Sequence, residues 1–258
     1  MSASEPEYLT TGQGRRLAYR RTEGAGPTVV FLHGLRSDME GTKALHLEDW
    51  ARRAGRGFLR FDCSGHGLSE GAFEAGCIGA WAEDAAAVLT ELTSGPLVLV
   101  GSSMGGWLAL LMARVLPERL AGLVTIAAAP DFTEDGFWAN FTDAQKADMV
   151  ATGMVALPSD YGDPLIVTRR MIEDGRNQLV LRKPLALPFP TRFLQGTADA
   201  DVDMSVALRL LDHAAGPDVR LTLVKGADHR FSEPGNLDAI VVAVEEVSSA
   251  AAAAGAAA

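Results

Sequence analysis

The sequence predicts an α/β fold, with a mostly parallel central sheet, helices on both faces and a small helical cap inserted late in the chain. Three observations predict it. Short apolar runs rich in β-branched residues alternate with stretches of helical periodicity. One of these runs, Leu97 to Val100, passes through Gly101-Ser102-Ser103-Met104-Gly105 into the helical stretch Trp107 to Arg114. The alternation then breaks from Pro130 to Pro190, where aromatics and prolines replace it, and resumes afterwards. The expected organisation is a core of residues 1–129 and 191–258, interrupted by a cap (lid) of residues 130–190.

Composition narrows the class. A chain of 258 residues with 48% hydrophobic residues can bury one sizeable core. The net charge of −10 argues against a nucleic-acid partner, because phosphate neutralisation needs clustered Lys and Arg. No apolar run approaches the ~18 residues of a membrane helix, so membrane insertion is not expected. The opening residues Met1 to Glu7 are acidic and polar, unlike a secretory signal or an Arg-rich transit peptide. A cytoplasmic protein is the expectation. Cys63 and Cys77 have no metal-ligand spacing and are expected as free buried thiols.

The elements follow in order. Leu17 to Arg20 reads as a weak strand, and Pro27 to Leu32 as a stronger one ending at His33-Gly34-Leu35. Thr42 to Ala54 has helical spacing and stops at Gly55. Gly57 to Asp62 is a strand running into the turn Cys63-Ser64-Gly65-His66-Gly67. Ile78, Trp81, Ala85, Val88 and Leu92 mark one face of a helix. After the Gly101–Gly105 turn and its helix, Leu120 to Ile126 is the next strand. Within the cap, Asp143 to Ala151 and Val167 to Arg176 read as helices. Strands at Thr191 to Gln195 and Val219 to Val224, and helices at Met204 to Ala215 and Leu237 to Val247, complete the core. The alanine-rich end, Ala250 to Ala258, is expected to fray.

The chemistry starts at Ser103. A G-x-S-x-G between a strand and a helix is a nucleophile elbow, whose glycines permit the tight turn. A serine hydroxyl needs a base, and the chain has five histidines. His33 and His66 sit in turns, His46 lies within a helix, and His213 is near a helix end. His229 follows the last strand, on the carboxyl side of the sheet where ligands gather, and is the expected base. The imidazole needs a carboxylate to fix its tautomer. Asp199 comes first after the preceding strand and is preferred; Asp201 is the rival. Asp199, Asp201 and Asp203 alternate as in a calcium loop, but Met204 and Leu210 occupy the positions that need Gly and Glu. The expected oxyanion donors are the backbone N–H groups of Met104 and Leu35. His33, Gly34, Trp138 and Met154 are the expected substrate-binding residues. Such chemistry needs no cofactor and no metal.

Ser103, Asp199 and His229, in that order, together with His33-Gly34 and Gly196-x-x-Asp199, resemble the α/β-hydrolase superfamily over nearly the whole chain. A narrower likeness runs through Gly41-Thr42-Lys43-Ala44-Leu45, Arg60-Phe61-Asp62, Val100 to Trp107, Leu157-Pro158-Ser159-Asp160-Tyr161 and Asp228-His229-Arg230. These segments resemble the mitochondrial abhydrolases of the palmitoyl-protein thioesterase or mycophenolic acid acyl-glucuronide esterase group, and their bacterial relatives. The sequence departs from the animal members at Cys63, where they carry Tyr, and at His33, where they carry Pro. The resemblance implies an α/β-hydrolase fold and hydrolysis of acyl esters or thioesters, on a small molecule or an acylated protein. Three alternatives stand beside it. Glu134, Asp135, Asp143 and Glu173 in the cap could hold the ammonium of an aminopeptidase substrate. The same fold supports C–C bond hydrolysis, and it supports a small-ligand receptor with a dormant triad.

Overall fold

The computed structural model describes residues 5–159 and 162–256, the last six of them by backbone alone. Asp160 and Tyr161, part of the quoted Leu157–Tyr161 segment, lie outside the described residues. So do Met1 to Ser4, Ala257 and Ala258.

The first half runs β1 (Glu7–Thr10), β2 (Arg16–Thr22), β3 (Ala25–Leu32), α1 (Thr42–Ala54), β4 (Arg56–Phe61), α2 (Ile78–Glu91), β5 (Leu97–Ser102), α3 (Met104–Val115) and β6 (Leu120–Ile126). A π-helix (Phe132–Trp138), α4 (Asp143–Thr152), β7 (Met154–Leu157), β8 (Leu165–Thr168), α5 (Arg169–Asn177) and β9 (Leu185–Ala186) follow. The chain ends with β10 (Thr191–Gly196), α6 (Met204–His213), β11 (Ala214–Ala215), β12 (Val219–Val224) and α7 (Pro234–Ala256). Among the described residues, the main sheet has eight strands in the order β1-β2-β4-β3-β5-β6-β10-β12. The β1–β2 and β2–β4 pairs are antiparallel, and every later pair is parallel.

The continuous apolar run of β5 reflects burial on both faces. Val98 and Val100 pack with Ala44 and Leu47 of α1 and Ile240 and Val244 of α7. Leu97 and Leu99 point the other way, into a cluster with Trp81 and Val88 of α2 and Trp107 and Leu108 of α3. Between β6 and β10 the chain adds no strand to the main sheet among the described residues. Asp131, at left-handed φ 58 and fully buried, ties the two ends of this excursion together. Its carboxylate accepts the N–H groups of Val180 (2.8 Å) and Leu181 (3.0 Å).

Four local expectations change. β1 forms at the sheet edge, from a segment too polar to read as a strand. Val167 belongs to β8, which pairs antiparallel with β7; α5 starts only at Arg169, because the Thr168 side chain accepts the N–H of Met171 as an N-cap. The helix after β10 stops at His213, and Ala214–Ala215 pairs with β9 instead. The alanine-rich end continues α7 to Ala256 rather than fraying from Ala250, in keeping with alanine's helix propensity.

Candidate active site

Ser103 stands between β5 and α3 at φ 55, ψ −118, a backbone conformation that non-glycine residues rarely adopt. The flanking glycines are dictated by close approach. A Cβ on Gly101 would overlap the carbonyl of Gly105, and one on Gly105 would overlap the Leu32 carbonyl and come within 2.6 Å of that of His33. The elbow is therefore pressed against the end of β3. Gly34 sits beside it, where a Cβ would lie 3.3 Å from the Ser103 Cβ.

The structure brings Ser103, Asp199 and His229 together from the ends of three strands. His229 Nε2 is 3.0 Å from Ser103 Oγ, and Nδ1 is 2.9 Å from Asp199 Oδ2. The Asp199 side chain is fully buried. Its Oδ1 accepts the N–H groups of Asp201 and Val202, both at 2.9 Å, and its Oδ2 also accepts from Gln195 Nε2 at 3.0 Å. Burial pushes the carboxyl pKa up, but the bonds from His229, Val202 and Asp201 outweigh it and hold Asp199 below the ordinary carboxylate range. Asp201 lies nearby on the rim as an exposed residue. Polar atoms of Asp199, Asp201 and His229 lie within 4.8 Å of one another, close enough to share a cation. Asp199 already accepts four N–H groups and His229 faces Ser103, an arrangement suited to proton transfer.

A cavity of about 750 Å³ opens over Ser103 and His229. Gly34 and Leu35 line it from the core, and Phe132, Phe137 and Leu165 from the excursion between β6 and β10. Among the described residues no acceptor takes the N–H of Leu35 or of Met104. The remaining expected contacts lie elsewhere. The His33 ring is buried behind the loop, where Nε2 accepts the Cys63 N–H (3.0 Å) and Nδ1 donates to the Gly34 carbonyl (2.8 Å). Trp138 packs on Phe141 and under Arg176, away from the cavity lining. Met154 is exposed on β7, because alternation along the strand turns Val155 inward instead.

Other candidates resolve in the same way. Burial pushes the His33 and His66 imidazoles down, His66 to about 3, so both are neutral structural groups. His46 lies within α1 and His213 ends α6, and neither lines the cavity. Burial raises the Cys63 thiol well above its usual value, and both cysteines are free. Glu134 pairs with Arg176, and Asp135 with Arg182 and Arg209. With Asp143 and Glu173, they are absent from the cavity lining. Among the described residues, these four cap acids therefore do not form the expected ammonium-binding patch in this cavity. Two residues that were not site candidates from sequence, Gln195 and Lys43, approach the site. Gln195 is buried at the end of β10, and Lys43 lines the cavity from α1.

An open, mostly parallel sheet with a serine elbow, followed in chain order by an aspartate and a histidine after later strands, defines a class of hydrolase. The chain belongs to the alpha/beta hydrolase family, whose sequence model matches residues 29–243. Similar proteins include the mitochondrial palmitoyl-protein thioesterase ABHD10 of Rattus norvegicus, 33% identical over 90% of this chain and 78% of that protein. The Homo sapiens protein of the same name is 32% identical over 90% of this chain and 76% of its own length. Among solved structures, a putative hydrolase from Agrobacterium vitis S4 superposes with a TM-score of 0.91 at 41% identity, covering 95% of this chain and 98% of the other. Mouse alpha/beta hydrolase domain-containing protein 10 gives 0.87 at 30% identity, over 95% and 98%. The expectation of a cytoplasmic protein is overturned by the thioesterase relatives, which are named as mitochondrial. That expectation rested on the acidic, polar composition of Met1 to Glu7, which fixes no cellular address. No helix among the described residues is long and apolar enough to cross a membrane.

Proposed function

We propose that this protein hydrolyses acyl esters or thioesters through an acyl-enzyme on Ser103. The observation that carries the reading is the unbroken relay of Ser103 Oγ, His229 and the buried Asp199, built on a left-handed serine. His229 accepts the hydroxyl proton as Ser103 attacks the carbonyl, and Asp199 holds the imidazole in the tautomer that leaves Nε2 free. The N–H groups of Met104 and Leu35 face the developing oxyanion. His229 then protonates the departing alcohol or thiol, and water repeats the sequence on the acyl-enzyme.

Residues 130–190 act as a cap in this reading, and Phe132, Phe137 and Leu165 give the cavity its apolar wall. That wall suits an acyl chain, and the naming of the relatives as palmitoyl-protein thioesterases supports a thioester as one substrate. The test is a turnover screen of p-nitrophenyl esters of increasing chain length beside an acyl thioester, with Ser103→Ala as the control. Loss of a triad nucleophile costs about 10⁶ in kcat. A purified, folded Ser103→Ala protein that keeps a measurable share of wild-type turnover refutes the mechanism.

A further inference from the structure

Lys43 occupies the first turn of α1, half-buried, on the cavity wall. A cation there opposes the helix dipole. α1 offers nothing in compensation, since its first turn has no acidic residue and its N-cap, Gly41, has no side-chain bond. The helix alone gives no reason for a lysine at this place. What the lysine does have is a partner remote in sequence: Nζ donates a hydrogen bond to the carbonyl of Arg230, 187 residues further along the chain.

Arg230 directly follows His229. On the other side of His229, the Asp228 carboxylate accepts the N–H of Phe231 at 3.0 Å and folds the loop into a turn. The loop is thus shaped from within by Asp228 and tied to the core from outside by Lys43. The ring bonds of His229 fix its orientation, but the distance from Nε2 to Ser103 depends on where the backbone of this loop sits. We propose that Lys43 is a positioning residue, whose ammonium holds the Arg230 carbonyl and so sets the place from which His229 reaches Ser103. The inference rests on the Ser103–His229–Asp199 reading above.

The charged state of Lys43 makes this hold dependent on pH. Burial pushes the ammonium down, to about 8, with Arg230 acting in the same direction and Asp228 and Asp199 opposing it. Asp228 and Arg230 face it from the loop after β12, and Asp199 from the loop after β10. Arg36 and Asp38 from the loop before α1, and Asp201, are the other charged groups on the cavity wall among the described residues. A charge-assisted hydrogen bond is roughly twice as strong as a neutral one. As pH rises through about 8 the ammonium loses its proton, the hold weakens, and activity passes to a lower plateau.

The experiment measures p-nitrophenyl ester turnover and the rate at which a fluorophosphonate labels Ser103, from neutral to alkaline pH. The full chain is compared with Lys43→Met and Lys43→Arg, with thermal melts alongside. In the wild type both rates fall near pH 8. Lys43→Met is slower at neutral pH by up to about a hundredfold, the cost of a catalytic group misplaced by ~1 Å. It shows no alkaline fall, and its Tm is unchanged or higher, because the unfavourable dipole contact is gone. Lys43→Arg recovers most of the neutral-pH rate and also lacks the fall, since a guanidinium stays charged. A Lys43→Met protein that keeps the wild-type rate and its alkaline fall overturns the proposal, as does a Lys43→Arg protein as slow as Lys43→Met. A wild type unlabelled at Ser103 refutes the hydrolytic reading and this inference with it. Labelling at Ser103 that is indifferent to Lys43 refutes this inference alone.

Discussion

Replacing Asp199 by Asn exposes what the buried carboxylate does. Its two oxygens accept four N–H groups: Asp201 and Val202 on Oδ1, and Gln195 and His229 on Oδ2. An asparagine has one acceptor oxygen and one donor amide. If the amide replaces Oδ1, two backbone N–H groups meet a donor. If it replaces Oδ2, Gln195 meets a donor, and His229 turns to the tautomer that carries its proton on Nε2. In that tautomer Nε2 cannot take the Ser103 proton, and kcat falls by about 10⁴. Either orientation strands buried donors, at roughly 1–3 kcal/mol. With about 2–4 °C per kcal/mol for a domain of this size, the Tm drops by several degrees. The assay is steady-state ester hydrolysis beside a thermal melt. Asp201→Asn, on the exposed rim, changes kcat by no more than a few-fold and shifts the Tm less than Asp199→Asn does. An Asp199→Asn protein within tenfold of wild-type kcat, or an Asp201→Asn protein as impaired as Asp199→Asn, would refute the reasoning.

Gly105→Ala drives a methyl into the Leu32 and His33 carbonyls, so α3 must move; overpacking costs about 1–3 kcal/mol, and the expected result is a lowered Tm with a larger fractional loss of kcat, read by melt and turnover. Phe137→Ala removes part of the apolar wall and should flatten the rise of kcat/KM with acyl length, which at ~0.8 kcal/mol per buried CH₂ is roughly fourfold per carbon; an unchanged chain-length series would mean the wall does not read the acyl chain. His66 is neutral when folded, with its pKa down near 3, and titrates near 6.5 when unfolded. The unfolded state therefore binds the extra proton between these values, so stability falls as pH drops through 6.5, by about 2 kcal/mol from this residue between neutral pH and pH 5. His66→Phe, packed between Phe73 and Trp81, should reduce the dependence of Tm on pH over that interval, and an unchanged slope would place the burial penalty elsewhere.

The sheet and the elbow were legible because their signals are local. A run buried on both faces reads as uniformly apolar, and the Gly101–Gly105 spacing records a backbone crossing that leaves no room for a Cβ. Asp199 and His229 were legible from chain order, since each follows a strand whose carboxyl end faces the site. Residues whose placement depends on distant contacts were not. The apolar residues Met154, Val155 and Leu157 look alike in sequence, yet the β7–β8 pairing sends Val155 inward and leaves Met154 in solvent. His33 is a polar residue in a loop beside the elbow, which suggested a contact with substrate. Its ring instead serves the loop, bonding the backbone of Gly34 and Cys63. Lys43 stands in a segment that carries the family likeness but nothing local assigns it a role, and Gln195 reads only as the end of a strand. One acts across most of the chain, and the other is a buried amide at a strand end.

The elbow also explains where variation can be accommodated. A left-handed, non-glycine Ser103 costs about 1–3 kcal/mol and persists only where its surroundings over-determine it. Three backbone bonds do so. The Ser103 N–H donates to Ile126 (2.9 Å), and its carbonyl accepts from Gly106 (2.9 Å) and Ala129 (3.1 Å). At roughly 1 kcal/mol net each, they offset the strain and pin the nucleophile to β6 as well as to its own helix. Ala129 leads directly into the excursion that carries Phe132 and Phe137. The first residues after the pinned segment are therefore those that shape the cavity wall. A change of side chain there alters the wall and removes none of these three backbone bonds, whereas any Cβ added at Gly101 or Gly105 meets backbone and displaces the nucleophile itself. On the hydrolytic reading proposed above, substrate preference can shift through residues 130–190 while the relay of Ser103, His229 and Asp199 stays fixed.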